Sequence, residues 1–377
     1  MKTIGLWFGL ALAMVGGAAW GHTCTPPVTP FPAFTGRMVY TVCTACNTMQ
    51  ESRALYLFDF HAVSTCTTPV LVPTAAWSLT GPVSPHFSPD GQAIIFSAVE
   101  PTGTEHDLYY WKIGDEWVTN LTPAAPGTLG LNRSEDPNFT PDGSSIVWKH
   151  TDNNSNTSLY LASLNFDGSG RPSIGAPTAL ATGMHGSPSE ISGPVVTSDG
   201  AHVYVFTGSG DNRLVQGAPI GGGGVGLAYP QNLSESYAYY PVINRTSGVL
   251  TYVAGGTSDQ IKYFPGGQAN TFPQAGTATA WAGNDAGADN SDPTFIDGDY
   301  FIFSHDKNAG GNSDYDLYVG QLSTGQKWDL NVLGVNFPGA AMISADYTPT
   351  RPAVTPFSIG QPSYTPGQGC GQACRWP

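Results

Sequence analysis

The sequence predicts an all-β protein, a six-bladed β-propeller in which a C-terminal strand completes the first blade. Three observations support this fold class. The 377 residues include 47 Gly and 31 Pro but only 11% charged residues, a composition typical of turn-rich β proteins. A strand–turn–strand pattern recurs along the chain, and it is incomplete at its two ends in complementary ways. A closed ring of repeated sheets accounts for all three observations.

The charge balance argues against one large class of function. The chain has 28 Asp and Glu against 14 Lys and Arg, a formal net charge of −14. Its basic residues do not form the clustered runs that follow a phosphate backbone. Nucleic acid is therefore not an expected partner.

Residues 1–21 have the order of a secretory signal peptide. One lysine precedes an apolar run over Ile4–Val15, and small residues follow. Cleavage after Ala19 and cleavage after Gly21 both fit, and we favour the second. No later stretch approaches the roughly 20 apolar residues of a membrane span, and a lipoprotein cleavage motif is missing. The sequence thus predicts an exported protein, which is secreted, at the cell surface or in the periplasm.

The repeats identify the blades. Two copies are nearly the same: PHFSPDG followed by AIIFS from Pro85, and PNFTPDG followed by SIVWK from Pro137. Weaker copies begin at Pro194, Pro241 and Pro293. Third strands are predicted near Asp107, Ser158, Gln260 and Asp316, and a fourth strand near residues 117–122. Strand, Asp-Gly turn, strand, loop, strand at a period near 50 is typical of a propeller blade.

The ends of the chain predict how the ring closes. Residues 36–42 and 54–59 resemble second and third strands without a first strand, whereas residues 344–349 resemble a first strand with nothing after it. Each end supplies what the other lacks. We therefore assign residues 34–350 to the propeller, residues 22–33 to an N-terminal extension, and residues 351–377 to a Pro/Gly/Cys tail packed on the N-terminus.

The cysteines predict disulfide bonds. Six cysteines in an exported chain favour pairing, although 15 pairings are open. The alternative is a zinc site that joins the two closely spaced pairs, 43/46 and 370/374. The six residues are Cys24, Cys43, Cys46, Cys66, Cys370 and Cys374.

The run FSPDG…IIFS…DLY resembles the WD40-like, TolB-type propeller repeat, and the resemblance covers roughly residues 34–350. It implies the propeller fold. It implies function only broadly, because lyases, accessory domains of peptidases and pure binding proteins share the repeat.

Blade geometry places five of the eight histidines on one face of the ring, the face with the loops between second and third strands. His61 and His202 map to the opposite face. The alternative interpretation is that histidine is simply tolerated in polar loops. The five are His86, His106, His150, His185 and His305.

The sharpest local pattern is Trp148-Lys149-His150. Residues i and i+2 of a strand point to the same side, about 6.5 Å apart. The pattern resembles the copper site of methanotroph surface copper-binding proteins, in which the Trp is oxidised to kynurenine and its amine joins two imidazoles. Imidazole is a suitable copper ligand. The alternative is that Trp148 packs between blades, as we expect of Phe96, Phe206 and Phe303.

A second imidazole must come from the same face. We prefer His185, in the following blade connection, to His305, whose Phe303-Ser304-His305 register copies that of Trp148 in an opposite blade.

Two polar runs predict calcium ligands as a further hypothesis. Asp, Asn and Gly are also ordinary turn residues, so solvated loops are the alternative. The carboxylates concerned are Asp285, Asp289, Asp292, Asp306, Asp314 and Asp316.

These observations favour a non-catalytic exported binding protein, in its most specific form a mononuclear copper protein for copper acquisition or sequestration. A TolB-like interaction propeller, with a cell-envelope protein or a glycan as partner, is one alternative. A metal-dependent lyase of the oligogalacturonide type is another, and its acidic substrate would need a basic patch, for which Arg133, Lys149 and Lys307 are the candidates. Serine-hydrolase, zincin and nucleotide-binding motifs do not occur in the sequence.

Overall fold

A computed structural model describes eleven stretches of the chain, and the account below concerns these residues. They are 31–44, 53–60, 69–100, 105–122, 131–152, 156–182, 191–208, 213–220, 237–264, 278–307 and 314–350. The predicted signal peptide, most of the predicted N-terminal extension and the predicted tail lie outside them, as does His185.

The described residues form 24 strands and two short 3-10 helices, Thr74–Trp77 and Leu330–Leu333. The strands of the first half are β1 (Gly36–Cys43), β2 (Arg53–Phe60), β3 (Val70–Leu71), β4 (Thr80–Phe87), β5 (Ala93–Val99), β6 (His106–Lys112), β7 (Thr119–Asn120), β8 (Leu131–Phe139), β9 (Ser145–Asp152), β10 (Thr157–Phe166), β11 (Pro172–Ile174) and β12 (Thr178–Thr182). Those of the second half are β13 (Ile191–Val196), β14 (His202–Thr207), β15 (Leu214–Pro219), β16 (Ala238–Ile243), β17 (Leu250–Ala254), β18 (Gln260–Phe264), β19 (Thr279–Ala280), β20 (Asp289–Phe295), β21 (Tyr300–Asp306), β22 (Asp316–Gln321), β23 (Lys327–Asp329) and β24 (Ala341–Thr348).

Within the described residues these strands make six antiparallel sheets, the six blades of a propeller. Blade 1 has the order β24-β1-β2-β3, so the C-terminal strand is its inner strand. Blades 2 to 6 begin with β4, β8, β13, β16 and β20 and continue outward along the chain. The register pairs Arg37 with Thr348 and Cys43 with Ala341. The all-β, six-bladed fold closed by a C-terminal strand is thus confirmed.

The Asp-Gly turns form because a hydroxyl and a carboxylate satisfy the backbone of the turn. In blade 2, Ser88 Oγ donates to Asp90 Oδ1 (2.6 Å) and accepts from the Ala93 N–H (2.9 Å), while Gly91 has φ +69°. Thr140 and Asp142 repeat this arrangement in blade 3, and Thr197 and Asp199 repeat it in blade 4. The glycine of each turn has a left-handed backbone conformation, which explains why glycine recurs at this position.

The core is divided into clusters between neighbouring blades. For example, Trp148 and Ile146 of blade 3 pack with Ile95 and Leu108 of blade 2. The interface between blades 6 and 1 is equally apolar, with Ile302 and Leu317 against Met38 and its neighbours. Each sheet therefore buries both faces only when the ring is closed.

Cys43, the last residue of β1, is disulfide-bonded. The other five cysteines lie outside the described residues. None of the helices in the described part of the chain is long and apolar enough to cross a membrane.

Candidate functional site

The innermost strands of the six blades surround an axial channel with a cavity of about 360 Å³. It is lined by residues of β4, β8, β13, β16, β20 and β24. We call the face with the loops between second and third strands the upper face. The Asp-Gly turns lie on the lower face, where Arg245 and Asp297 also line the channel.

Every inner strand contains a β-bulge with one residue in the left-handed conformation, at φ between +47° and +58°. Non-glycine residues rarely adopt this conformation, so six occurrences at equivalent positions reflect the architecture. The residues form a ring inside the channel, which we call the bulge ring. It consists of Ser344, Ser84, Asp136, Gly193, Tyr240 and Asp292, from blades 1 to 6 in order.

The bulge ring is not among the features predicted from the sequence, although the sequence contains a signal for it. Each member directly precedes the repeated proline, as Ser84 precedes Pro85, or Ala345 in blade 1. The repeat is recognisable from its proline onward, whereas the residue before the proline varies between Ser, Asp, Gly and Tyr. A conserved backbone conformation can thus be hidden by a variable side chain.

Two members of the bulge ring are carboxylates in opposite blades. Asp136 Oδ1 accepts from Ser84 Oγ (2.8 Å), and its Oδ2 accepts from the Gly193 N–H (3.4 Å). Asp292 Oδ2 accepts from the Ser344 N–H (3.2 Å). Each carboxylate therefore links its blade to a neighbouring blade and also lines the channel.

Burial in the channel raises the pKa of Asp292 to about 6, against the hydrogen bonds from Ser344 and Ser291. The charges of Asp259 and Asp136 raise it further. Deeper in the channel, burial also disfavours the charge of Asp346, whose side chain is 19% exposed, but its hydrogen bonds and the neighbouring His86 lower its pKa. His86 is the penultimate residue of β4, so it lies toward the lower face and not on the upper face as expected. Asp346 Oδ2 accepts from the Phe87 N–H at 2.7 Å. The channel thus holds carboxylates with opposite pKa shifts.

Trp148 and His150 lie between blades 2 and 3, away from the axial channel. Both are buried in β9, and both contact the ring of Tyr160, Trp148 at 5.8 Å and His150 at 5.6 Å between ring centroids. The side chains therefore share one side of the strand, as the i, i+2 spacing predicts. Trp148 Nε1 and His150 Nδ1 are buried atoms that lack a hydrogen-bond partner.

Comparison of the blades shows that Trp148 occupies a packing position. In each second strand, the residue opposite the bulge points toward the preceding blade. Five of the six are aromatic; the set is Tyr40, Phe96, Trp148, Val205, Tyr252 and Phe303. The expected equivalence with Phe206 is wrong, because Phe206 pairs with Ser192 as Lys149 pairs with Glu135, and it packs toward blade 5.

His305, the other predicted ligand among the described residues, is separated from this pair, and His185 lies outside the described residues. His305 lies in blade 6, where Nδ1 is 3.0 Å from Asn290 Oδ1 and Nε2 is 3.6 Å from Asp285 Oδ2. Burial lowers the pKa values of both His150 and His305, so the neutral imidazoles are favoured. Within the described residues, no three His, Cys, Asp or Glu side chains form a group suited to a metal ion.

The six predicted calcium ligands have varied surroundings. Asp285 pairs with Lys327, and Asp289 Oδ1 accepts from the Asp259 N–H at 2.8 Å. Asp292 belongs to the bulge ring, and Asp306 is buried at the end of β21. The negative charge of Asp314 contributes to raising the pKa of Asp316. Burial and nearby carboxylates raise the pKa of Asp316 to about 6.

Comparison with solved structures supports the fold. The chain is similar to TolB from Acinetobacter baumannii (TM-score 0.57, 16% identity), over 84% of this chain and 67% of that one. It is also similar to hydrazine synthase from Kuenenia stuttgartiensis (TM-score 0.59, 12% identity), over 83% of this chain but 46% of that one. No family model and no curated protein matches the sequence. At these identities the likeness establishes a TolB-type propeller fold and leaves activity open.

Proposed function

We propose that the protein is an exported, non-catalytic interaction propeller that receives a segment of a partner protein at the upper mouth of its axial channel. The bulge ring is the observation that carries this proposal. A bulge leaves one residue outside the strand ladder, so six bulges at one level direct backbone groups as well as side chains toward the channel.

The lining of the channel suits an extended polypeptide. It combines carboxylates, hydroxyls and several prolines with Tyr240, which is 38% exposed although most large apolar side chains are buried. An aromatic anchor beside polar groups that fix orientation is typical of recognition sites. TolB-type architecture supports the same interpretation. The partner class we propose is a protein of the cell envelope.

Export is part of the proposal. Residues 1–21 resemble a signal peptide, and Cys43 is disulfide-bonded. Disulfides persist in oxidising compartments such as the periplasm or the extracellular space.

Site-specific photo-crosslinking tests the binding site. A photoreactive phenylalanine replaces Tyr240 at the upper mouth or Phe166, an exposed aromatic at the lower end of β10. We expect a protein adduct in the native host from position 240 and none from position 166. Mass spectrometry identifies the partner protein in the adduct, and binding of the purified partner to the purified propeller is then measured. Equal adducts at both positions, or none at position 240, would contradict the proposal.

A mononuclear copper site at Trp148 and His150 is our second proposal, with His185 as the further ligand, since His305 lies in the opposite blade. The two buried nitrogens without hydrogen-bond partners favour it, because such atoms in a native structure call for an unseen partner. We expect one tightly bound copper per protein and an oxidised Trp148 in material from the native host. His150→Ala should lose the copper, whereas His202→Ala, in blade 4, should keep it. Unchanged copper content in His150→Ala would exclude the site.

A further inference from the structure

A group of basic residues lies on the upper face beside the bulge ring. Glu135 Oε1 is 2.5 Å from Arg133 Nη2 and 3.5 Å from His106 Nδ1, and Glu135 Oε2 is 3.1 Å from Lys149 Nζ. Lys149 is the direct cross-strand partner of Glu135. Asp136, the next residue, lines the channel. The group therefore lies beside the bulge ring, which forms the upper end of the lined cavity.

Arg53 joins this group from blade 1. It is the first residue of β2 and lies at the upper face. Its Nε is buried and has no hydrogen-bond partner. Burial lowers the pKa of its guanidinium; the charges of Glu135 and Tyr240 oppose this effect, and that of Arg133 adds to it. The guanidinium of Arg53 therefore interacts electrostatically with Glu135 and Arg133 of this group and with Tyr240 of the bulge ring.

Among the described residues of this group, Arg133 and Lys149 share the carboxylate of Glu135, whose charge also acts on Arg53. Lys149 already forms an ion pair with Glu135, and the Glu135 and Lys149 side chains are only 7% and 8% exposed. Arg133 contacts the same carboxylate but is 45% exposed. A guanidinium has five N–H donors and can hold a second carboxylate. In a chain with a net charge of −14, a local pair of guanidinium groups is distinctive.

We propose that Arg53 and Arg133 form a carboxylate-binding site at the channel mouth, which holds an acidic side chain of the partner's bound segment. This inference rests on the proposed function, because the interaction propeller supplies the peptide. Glu135 is the resident counter-ion, and Lys149 and His106 hold it in place.

The surroundings select for a single acidic residue. A polyanion at the mouth would also meet Asp136 and Asp292 of the bulge ring and Asp346 below them. Like charges at that distance oppose binding, so specificity comes from repulsion as well as attraction. An acidic residue flanked by uncharged residues is attracted by the arginines and brings no further negative charge near the carboxylates of the channel, whereas a polyuronate does bring such charge.

Peptide binding tests this site. The probes are Ac-Pro-Glu-Pro-NH2, Ac-Pro-Gln-Pro-NH2 and trigalacturonate, titrated into the full mature chain and followed by ligand-observed NMR. We expect the Glu peptide to bind about tenfold more tightly than the Gln peptide. Arg133→Gln should abolish that difference, and Lys112→Gln, an exposed cation at the opposite end of β6, should preserve it. Arg133 is half exposed, so its variant should fold, which the melting temperature checks.

Glu135→Gln separates a binding role from a structural one. Removing the resident carboxylate frees Arg133 for the ligand, so the affinity for the Glu peptide should rise several-fold. A purely structural role predicts lower or equal affinity, which overturns the proposal. If this variant fails to fold, Arg53→Gln replaces it, with an expected loss of affinity.

Three further outcomes overturn the carboxylate site: equal binding of the Glu and Gln peptides, retained preference in Arg133→Gln, or binding of trigalacturonate in place of the peptide. Crosslinking from position 240 is independent of these measurements. If it succeeds while the Glu preference is missing, only the carboxylate site fails and the interaction propeller stands.

Discussion

The side chains of the bulge ring differ in how easily they accept the left-handed conformation. Asp136 and Asp292 tolerate it because a short polar side chain can bond locally, and Gly193 has no Cβ to clash. Tyr240 has no such advantage, yet it adopts φ +47° and remains 38% exposed. Strained residues of this kind cluster at functional sites. The identity of Tyr240 is thus better explained by recognition than by stability.

Asp292→Asn should stabilise the protein at neutral pH. The folded-state pKa of about 6 exceeds that of the unfolded chain, so the folded state binds more protons and stability falls as pH rises from about 4 to about 6. Asparagine retains the left-handed conformation and removes the buried charge. We expect a gain of about 1–3 kcal/mol above pH 6 and a negligible gain below pH 4, measured by urea unfolding against pH.

Asp142→Asn is the control, with the opposite sign. Hydrogen bonds from Thr140 and Ser144 lower the pKa of this turn carboxyl, so its contribution to stability is present at neutral pH and is lost as pH falls through the folded-state pKa. The Asn variant should therefore be less stable than the wild type at pH 7. An Asp292→Asn variant that follows the same direction would contradict the burial argument.

At the scale of elements, the turns and second strands follow from local sequence, whereas the bulges do not. The hydroxyl-x-Asp-Gly pattern specifies its own hydrogen bonds, as at Ser88 and Asp90, so the sequence predicts these hairpins well. A bulge depends on pairing between strands, which is not local. The misassignment of Phe206 has this cause, because alternation alone could not show which of two adjacent apolar residues faces the preceding blade.

Gly91→Ala should destabilise the protein more than Gly200→Ala. Both glycines are left-handed turn residues, at φ +69° and +71°, so both variants should lose about 1–2 kcal/mol. An added Cβ at Gly91 would lie 2.6 Å from Thr348 Oγ1 in the closing strand, whereas at Gly200 it would meet nothing within 4 Å. Overpacking should cost Gly91→Ala about 1–3 kcal/mol more. Equal unfolding free energies in urea would show that the turn of blade 2 does not pack closely against β24.

At the scale of the molecule, the blade count and closure could be predicted because the repeat is strong and its ends are complementary. The candidate site could not be predicted to the same extent. The channel and the group around Glu135 combine residues from different blades, such as Arg53 and Arg133, and only the assembled ring brings them together. That Trp148 and His150 lie on the same side of β9 could be predicted, because the i, i+2 relation depends on one strand alone.

Removing residues 341–377 should prevent formation of a stable ring. The deletion removes β24, exposing the edge of β1 and the apolar surfaces of blades 1 and 6. We expect aggregation or rapid proteolysis. A circular permutant that places residues 341–350 before β1 through a short turn restores the same pairing as an ordinary hairpin, and it should fold. A soluble truncated protein with the wild-type melting temperature would contradict this closure.

The disulfide at Cys43 should stabilise the upper edge of blade 1. Cys43 ends β1, opposite Ala341 of the closing strand. Reduction, or Cys43→Ser, should lower the unfolding free energy by about 2–5 kcal/mol. Thiol titration of the folded protein should give no signal from Cys43 until a reductant is added. Release of zinc together with several thiols would support the alternative cysteine–zinc site.

Closure also governs when the chain can fold. Tyr347 bonds to the carbonyl of Thr35, 312 positions earlier, so at synthesis rates of about 5–20 residues per second blade 1 waits roughly 15–60 s for its inner strand. During that interval β1 is an open acceptor for any matching strand, including β24 of another molecule. Intramolecular closure therefore competes with strand exchange between chains, and the yield of monomer on refolding should fall as protein concentration rises.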